Sequence, residues 1–248
     1  MDLSGLKGMY EGARIGILGS GPTLNDFKDE LYSLCDILIA CNGSIMALDP
    51  QKNPLDYFLY VDSESPARTW FRESRHFHRP NGGQVNRILP NSLLPYDDIV
   101  LNSEIERCKL QLELLEFMKE NPSDDKAYRN FKPSSDIILT NGFNFNYEVA
   151  NISEMDIESS IYGGGTVTGT GSQIAWRMGA SQINLFGCGF NNSPGAGVYA
   201  YDNRGEPGAT TDDHQLCMDE ILLQIQSKGV KVISFGETSL TSPEVITY

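Results

Sequence analysis

Three pairs of small polar residues, each set directly behind an apolar run, are the best-placed candidates in this 248-residue chain for holding a ligand. Ser20 and Thr23 follow Arg14-Ile15-Gly16-Ile17-Leu18. Asn42 and Ser44 follow Asp36-Ile37-Leu38-Ile39-Ala40-Cys41. Asp62 and Ser63 follow Tyr57-Phe58-Leu59-Tyr60-Val61. Runs that are apolar throughout suit strands buried on both faces of a parallel sheet. The carboxyl ends of such strands lie side by side, and ligands of open α/β folds bind there. Strand ends also need polar turn residues for their own sake. Asn42 or Ser63 alone reads that way; the three pairs together read as a site.

The first pair lies within Gly19-Ser20-Gly21-Pro22-Thr23-Leu24, a sharp turn followed by a helix-like segment. Backbone N–H groups and a helix N-terminus at a strand mouth can hold phosphate without a cationic side chain; a plain strand-to-helix turn accounts for the segment equally well. It is not a dinucleotide fingerprint, because the third glycine is missing, nor a P-loop, because no Lys follows the glycines. A second anion candidate runs from Gly163 to Ser172. There Thr168, Thr170 and Ser172 offer hydroxyls, and glycines such as Gly169 let backbone approach a ligand. A loop capped by Thr is the alternative, but the density of Gly and Thr favours a ligand. Asp212-Asp213-His214 opens a helix. A His beside a carboxylate can act as a general base; read locally, an Asp cap with a solvated His explains it better. Tyr199-Ala200-Tyr201-Asp202 sits in a glycine-rich loop, where aromatics either close over a ligand or anchor the loop. His76 and His78 alternate, which suits one strand face. They read as surface residues rather than a metal pair, and no metal site is expected.

Nineteen basic against 33 acidic residues give a net charge of −14. That argues against nucleic acid or a membrane surface as partner, though not against a phosphorylated small ligand. No apolar run is long enough to span a bilayer, and Met1-Asp2-Leu3-Ser4-Gly5 lacks a signal peptide's regions. Five scattered cysteines, Cys35, Cys41, Cys108, Cys188 and Cys217, show no CxxC pair. Cys35, Cys41 and Cys188 fit as small core residues, and the set fits a reducing cytoplasm.

These residues must be positioned by a βαβ progression. Residues 14–18 read as a strand, 24–33 as a helix, and 36–41 and 57–61 as further strands. From 62 to 135 the pattern loosens into a helical insert over one side of the site. It contains a basic concentration (Arg68, Arg72, Arg75, His76, His78, Arg79) and an amphipathic helix at Ile105–Glu120. A strand at 136–139 follows, then a helix at 173–178 stopped by Gly179 and a strand at 183–187. Residues 187–213 form a lid loop, followed by a helix at 219–228 and a strand at 230–235. The expected fold is α/β: a single Rossmann-like domain over residues 1–248, with a mostly parallel central sheet, helices on both faces, a helical insert and a lid.

Taken in order, the motifs resemble the sialyltransferase family found in Campylobacter and Haemophilus, with its wider relatives. Those include the flagellin motility accessory factors and hydroxymethyldihydropterin diphosphokinase-like proteins. The carriers are Gly19-Ser20-Gly21-Pro22-Thr23-Leu24, Cys41-Asn42, Thr166 to Thr170, Gly187-Cys188-Gly189-Phe190, Tyr199-Ala200-Tyr201-Asp202, His214 and Ser239-Leu240. The resemblance implies a GT-A-like fold and a metal-independent, inverting glycosyltransferase that needs no cofactor. It would move an acidic sugar, sialic acid-like or Kdo-like, from a CMP-sugar donor to a glycan acceptor. Ser20, Thr23, Asn42 and Thr168–Thr170 would line the donor, with Gly19, Gly21, Asp62, Ser63, Gly187, Gly189 and Tyr201 at its edges. Tyr199 would contact its phosphate, and His214 beside Asp213 would deprotonate the acceptor. The chain departs from the family pattern at Ser20 (Asn in the family), Gly189 (Asp), Asn191 (Tyr) and Gly164 (Arg). Arg68, Arg72 or Arg204 could supply the missing cation. A Mg²⁺-dependent pterin diphosphokinase-like enzyme, with Asp62 and Asp213 as metal ligands, and a non-catalytic nucleotide-binding relative are the alternatives. Self-association is compatible with all three.

Overall fold

The structure, a computed structural model, describes residues 3–61, 69–70, 73–89, 137–139, 144–146, 155–163, 166–190 and 212–247. Its frame is an eight-stranded sheet. In chain order the strands are β1 (Arg14–Leu18), β2 (Ile37–Cys41), β3 (Tyr57–Leu59), β4 (Asn86–Leu89), β5 (Ile137–Leu139), β8 (Gln182–Phe186), β9 (Lys231–Phe235) and β10 (Glu244–Ile246). A separate pair joins β6 (Asn144–Asn146) to β7 (Ser160–Tyr162). The spatial order is β10-β9-β8-β1-β2-β3-β4-β5, and its pairings are parallel. The strands expected at 14–18, 36–41, 57–61, 136–139, 183–187 and 230–235 are β1, β2, β3, β5, β8 and β9.

Successive side chains alternate between faces, and here both faces are apolar. Ile15 and Ile17 of β1, Ile39 and Cys41 of β2, and Ile183 and Leu185 of β8 enter one core cluster. Leu18, Leu38, Ala40, Phe58 and Phe186 enter the other. Helices cover both faces. On the first lie α3 (Val167–Arg177) and α4 (Asp212–Ser227); on the second lie α1 (Leu24–Phe27) and α2 (Leu31–Leu34). Asn184 is buried on the second face; its Nδ2 donates to Leu34 O at 2.9 Å and so satisfies a carbonyl at the end of α2.

The chain lays down β1 through β5 in one direction, then returns to place β8 on the other side of β1 and continues outward. The strand order therefore reverses between β1 and β8, the point at which open α/β sheets form a ligand crevice beyond their carboxyl ends.

Several expectations need correction. The helix expected at 24–33 is two single turns, because Glu30 leaves the helical region (φ −112°, ψ 0°) and its N–H closes a turn on Phe27 O. The segment 62–135 is not wholly an insert beside the sheet, since β4 pairs with β3 inside it. Its described basic part lies at the amino edge: His78 bridges Gln84, and His78 O accepts from Leu55 N just before β3. The helix expected at 173–178 begins at Val167, and that expected at 219–228 begins at Asp212. Among the described residues, no helix is long and apolar enough to cross a membrane.

Candidate functional site at the carboxyl edge

At the β1/β8 crevice two loops are clasped backbone to backbone. Gly19 N–H donates to Phe186 O at 2.7 Å, and Gly21 N–H donates to Gly187 O at 2.8 Å. A Cβ on Gly19 would lie 2.5 Å from Gly187 O, one on Gly21 2.7 Å from the same oxygen, and one on Gly187 2.5 Å from Gly19 O. Gly187 also needs φ +65°, which glycine adopts without steric penalty. These glycines are thus required by the close approach of two strand ends. The expectation that the turn offers its N–H groups to phosphate fails for Gly19 and Gly21, because both are spent on the clasp. Two further N–H groups of the turn also close on it, Leu24 on Gly21 O and Asn25 on Pro22 O. What the clasp leaves at the crevice is Ser20, held between the two bonded glycines, half-buried, with a hydroxyl that has no hydrogen-bond partner among the described residues. Thr23 does not cap α1 through its side chain; it packs against Gly236 in the loop after β9.

Beside the clasp, Asn42 adopts φ +45° and its Oδ1 accepts from Val61 N at 3.3 Å, tying the end of β2 to that of β3. Ser44 Oγ accepts from Cys41 N at 2.9 Å, so it serves the turn itself. Asn tolerates the left-handed region. A bulky residue rarely does, yet Phe190, four residues past Phe186, has φ +50°. Strain of this kind costs about 1–3 kcal/mol and concentrates at functional sites.

The Thr/Gly segment is helix rather than ligand loop. Thr170 is fully buried with its hydroxyl on Tyr162 O at 3.3 Å, and the buried Ser172 hydroxyl donates to Thr168 O at 2.8 Å. Gly169 lets α3 approach Met218 and Ile221 of α4, and Gly171 lets it approach Cys41, Ile17 and Leu59 on the sheet. Gly169 and Thr170 are therefore packing residues, which corrects their assignment to donor contact. The glycines that looked like ligand clearance are clearance for a helix. Thr168 is buried too; its hydroxyl is 2.7 Å from that of half-buried Thr166 and contacts the Cys188 thiol. Burial pushes that thiol up to about 12, leaving it inert as a nucleophile near neutral pH.

Helix α4 brings the remaining candidates. Asp212 and Asp213 are exposed in its first turn, where negative charge complements the helix dipole. His214 follows, half-buried. It shares a helical stripe with Met218 and Ile221 (i, i+4, i+7), the residues that meet Gly169 of α3. Both helices lead at their C-termini into the starts of β8 and β9, so their N-termini lie toward the carboxyl edge. His214 therefore occupies the side of α4 that faces α3, one turn nearer that edge. A neighbouring stripe holds α4 to the segment after β9. Gln215 Nε2 donates to Ser239 O at 2.6 Å. The buried Asp219 carboxylate accepts from Thr241 N at 2.9 Å, Ser242 N at 3.0 Å and Ser242 Oγ at 2.7 Å. That segment is joined in turn to the end of β8: Thr238 Oγ1 donates to Cys188 O at 2.9 Å and Ser239 N to Gly189 O at 2.7 Å.

No family model matches the sequence, and no curated protein matches it. Solved structures do. This chain shares its fold with a glycosyltransferase. It is similar to the MAf glycosyltransferase from Magnetospirillum magneticum AMB-1, with a TM-score of 0.52 and 16% identity over 100% of this chain. The chain spans 37% of that protein's length. It is also similar to the sialyltransferase CstII from Campylobacter jejuni in complex with cytidine-5'-monophosphate, with a TM-score of 0.42, 12% identity, and coverage of 90% of this chain and 80% of that one. At such identity the first likeness speaks for the fold.

The structure thus gathers Gly19, Ser20, Gly21, Thr23, Asn42, Thr168, Gly187, Gly189 and the first turn of α4, with Asp213 and His214, along one edge. Asp62, Ser63, Tyr199, Tyr201, Arg68, Arg72, Arg204, Gly164, Asn191, Cys108, the helix expected at 105–120 and most of the lid lie outside the described residues. Arg75, His76, His78 and Arg79 belong to the opposite edge. Gln215, Asp219 and Thr238 were missed by sequence reading. The available signal was an acid at Asp219 in sequence among the apolar Cys217, Met218, Ile221 and Leu222 of α4.

Proposed function

We propose that the protein is an inverting, metal-independent glycosyltransferase that moves an acidic sugar from a CMP-sugar to a glycan hydroxyl. The observation that carries this reading is the convergence of the β1, β2, β8 and β9 loops with the first turns of α3 and α4 at the strand-order reversal, with His214 facing inward there. The fold shared with a solved glycosyltransferase supports it. In this reading the His214 imidazole takes the proton of the acceptor hydroxyl. The oxygen attacks the anomeric carbon, the bond from that carbon to the phosphate oxygen breaks, and CMP leaves with the electron pair. Asp213 places negative charge beside the imidazolium that forms. Ser20, Thr23 and Asn42 line the donor, and their polar side chains stabilise the departing phosphate. The same reading gives Tyr199 and Tyr201 a role in binding the donor.

Thermal-shift measurement against CMP, UDP, GDP and ATP, with and without Mg²⁺, tests donor class. CMP at a hundred times its Kd should stabilise by about 2.7 kcal/mol, with or without EDTA. His214→Ala should abolish transfer from a CMP-sugar while leaving that stabilisation intact; equal loss of both sinks the base assignment. Stabilisation by ATP that requires Mg²⁺ would favour the diphosphokinase-like reading instead. Firm CMP binding without transfer from any CMP-sugar would favour a non-catalytic relative.

A further inference from the structure

The stripe of α4 that carries no candidate chemistry does more than pack. Gln215, Asp219, Leu222 and Gln226 follow one another at i, i+4, i+7 and i+11, which places them on one side of the helix. Leu222 is fully buried. The other three bond to the segment 239–242: Gln215 Nε2 to Ser239 O at 2.6 Å, Asp219 to the N–H and hydroxyl groups of Thr241 and Ser242, and Gln226 Nε2 to Ser242 O at 2.9 Å. The same segment is fixed to the clasped loop after β8 through Thr238 Oγ1 on Cys188 O and Ser239 N on Gly189 O. A continuous chain of hydrogen bonds therefore runs from Gln215 through Ser239 to Gly189, one residue before the strained backbone of Phe190. Rotation of α4 about its axis would swing His214 away from α3, and this chain opposes that rotation at the helix end where His214 sits.

We infer that Gln215 and Asp219 are positioning residues for His214: they set the azimuth of the first turn of α4 against the β8 loop, so that the imidazole is presented toward the start of α3. This rests on the reading of His214 as the base. Asp219 holds the segment rigid with five hydrogen bonds, and Gln215 passes that rigidity to the turn next to His214. Gln226 bonds to the same segment with a like geometry but lies twelve residues from His214, so it shares the structural role and not the positioning one. The exposed charged groups at this edge, Asp212 and Asp213 on α4 and Glu237 after β9, stay in place in every variant below, and Gln215→Met keeps the Asp219 carboxylate as well.

The test is side-chain NMR of the full chain with labelled histidine. The chain has 3 histidines, and the His214 signal is the one lost in His214→Gln. Gln215→Met keeps the shape and cannot donate; Asp219→Asn loses acceptor capacity. Both should move the His214 resonance and its titration midpoint, with His76 and His78 unmoved. Gln226→Met should leave His214 as in the parent. With a CMP-sugar donor, Gln215→Met should lower kcat on the order of 100-fold, as expected for an ångström of misplacement, with donor KM unchanged. If His214 titrates in Gln215→Met as it does in the parent, or moves equally in Gln226→Met, the inference is overturned. Should Asp219→Asn fail to fold, Gln215→Met decides alone. Absence of any transfer by the parent would defeat the glycosyltransferase reading, and the NMR titration would still decide the positioning role.

Discussion

At the scale of single residues, the glycines of this chain divide by what surrounds them. Gly229 has φ +87° and open space where a Cβ would go, whereas Gly187 has φ +65° and a carbonyl oxygen 2.5 Å from that position. Gly229→Ala should therefore cost about 1 kcal/mol, the left-handed penalty alone. Gly187→Ala should cost about 3 kcal/mol or more, since overpacking adds to it. Urea midpoints with unchanged slope measure the difference, and equal costs would mean that the clasp yields freely. The opening motif shows why such glycines mislead a reader of sequence. Gly19 and Gly21 have the composition of a phosphate cradle, but the use of their N–H groups depends on whether a partner strand arrives beside them. Gly187 is that partner, 166 positions away from Gly21 along the chain.

At the scale of elements, polar side chains inside the layers hold helices to strands. Asn184 sits in the middle of β8 with Nδ2 on Leu34 O and Oδ1 accepting from Gln182 Nε2. Replacing it by the similarly sized Leu leaves the part-buried Leu34 carbonyl without this partner. A loss of about 1–3 kcal/mol is expected, visible as a lower urea midpoint; a neutral result would mean that water reaches that carbonyl. Helix α3 teaches a related point about legibility. Its strand neighbours β1 and β2 were legible as largely apolar runs, because burial on both faces favours apolar residues throughout. Its own first half was not legible. Thr168, Gly169, Thr170, Gly171 and Ser172 have poor helix propensity and were read as loop. Tertiary packing overrides that propensity, since small residues are what allow α3 to sit close to the sheet and to α4 at once.

At the scale of the whole molecule, two carboxyl groups at the amino edge pull stability in opposite directions with pH. The Arg14 guanidinium, bonded to Asp36 through its side chain and backbone N–H, holds the Asp36 carboxyl below its ordinary value of 3.8. Its contribution is present above that value and is lost as pH falls through the folded pKa. Being half-exposed, the pair contributes little. Burial raises the Asp56 carboxyl above 3.8, against the bonds it accepts from Leu38 N and Tyr32 OH. Its neutral form favours folding, so that contribution is present below 3.8 and is lost as pH rises through the folded pKa. Both bonds fall on one oxygen, Oδ2, which an amide oxygen can replace. Asp56→Asn should therefore be at least as stable as the parent at pH 7, with the gap closing toward pH 4. A gap that is constant across this range would remove burial of the charge as its cause.

The sequence by itself determined the class of the molecule: apolar runs of strand length separated by helix-forming stretches, with polar residues at the strand ends, leave a parallel α/β sheet as the way to bury them. It also determined that these polar ends, Gly19 to Thr23, Asn42 and Gly187 to Gly189, would meet along one edge, because parallel strands bring their carboxyl ends together. Only the tertiary structure decided which of those groups remain available to a ligand. The hydrogen bonds of Gly19 and Gly21, the burial of Thr170 and the splint that fixes His214 through Gln215 and Ser239 all join residues distant in the chain. Local composition carries no information about a partner that arrives from elsewhere; strand order does, and that order is set by how the whole core packs.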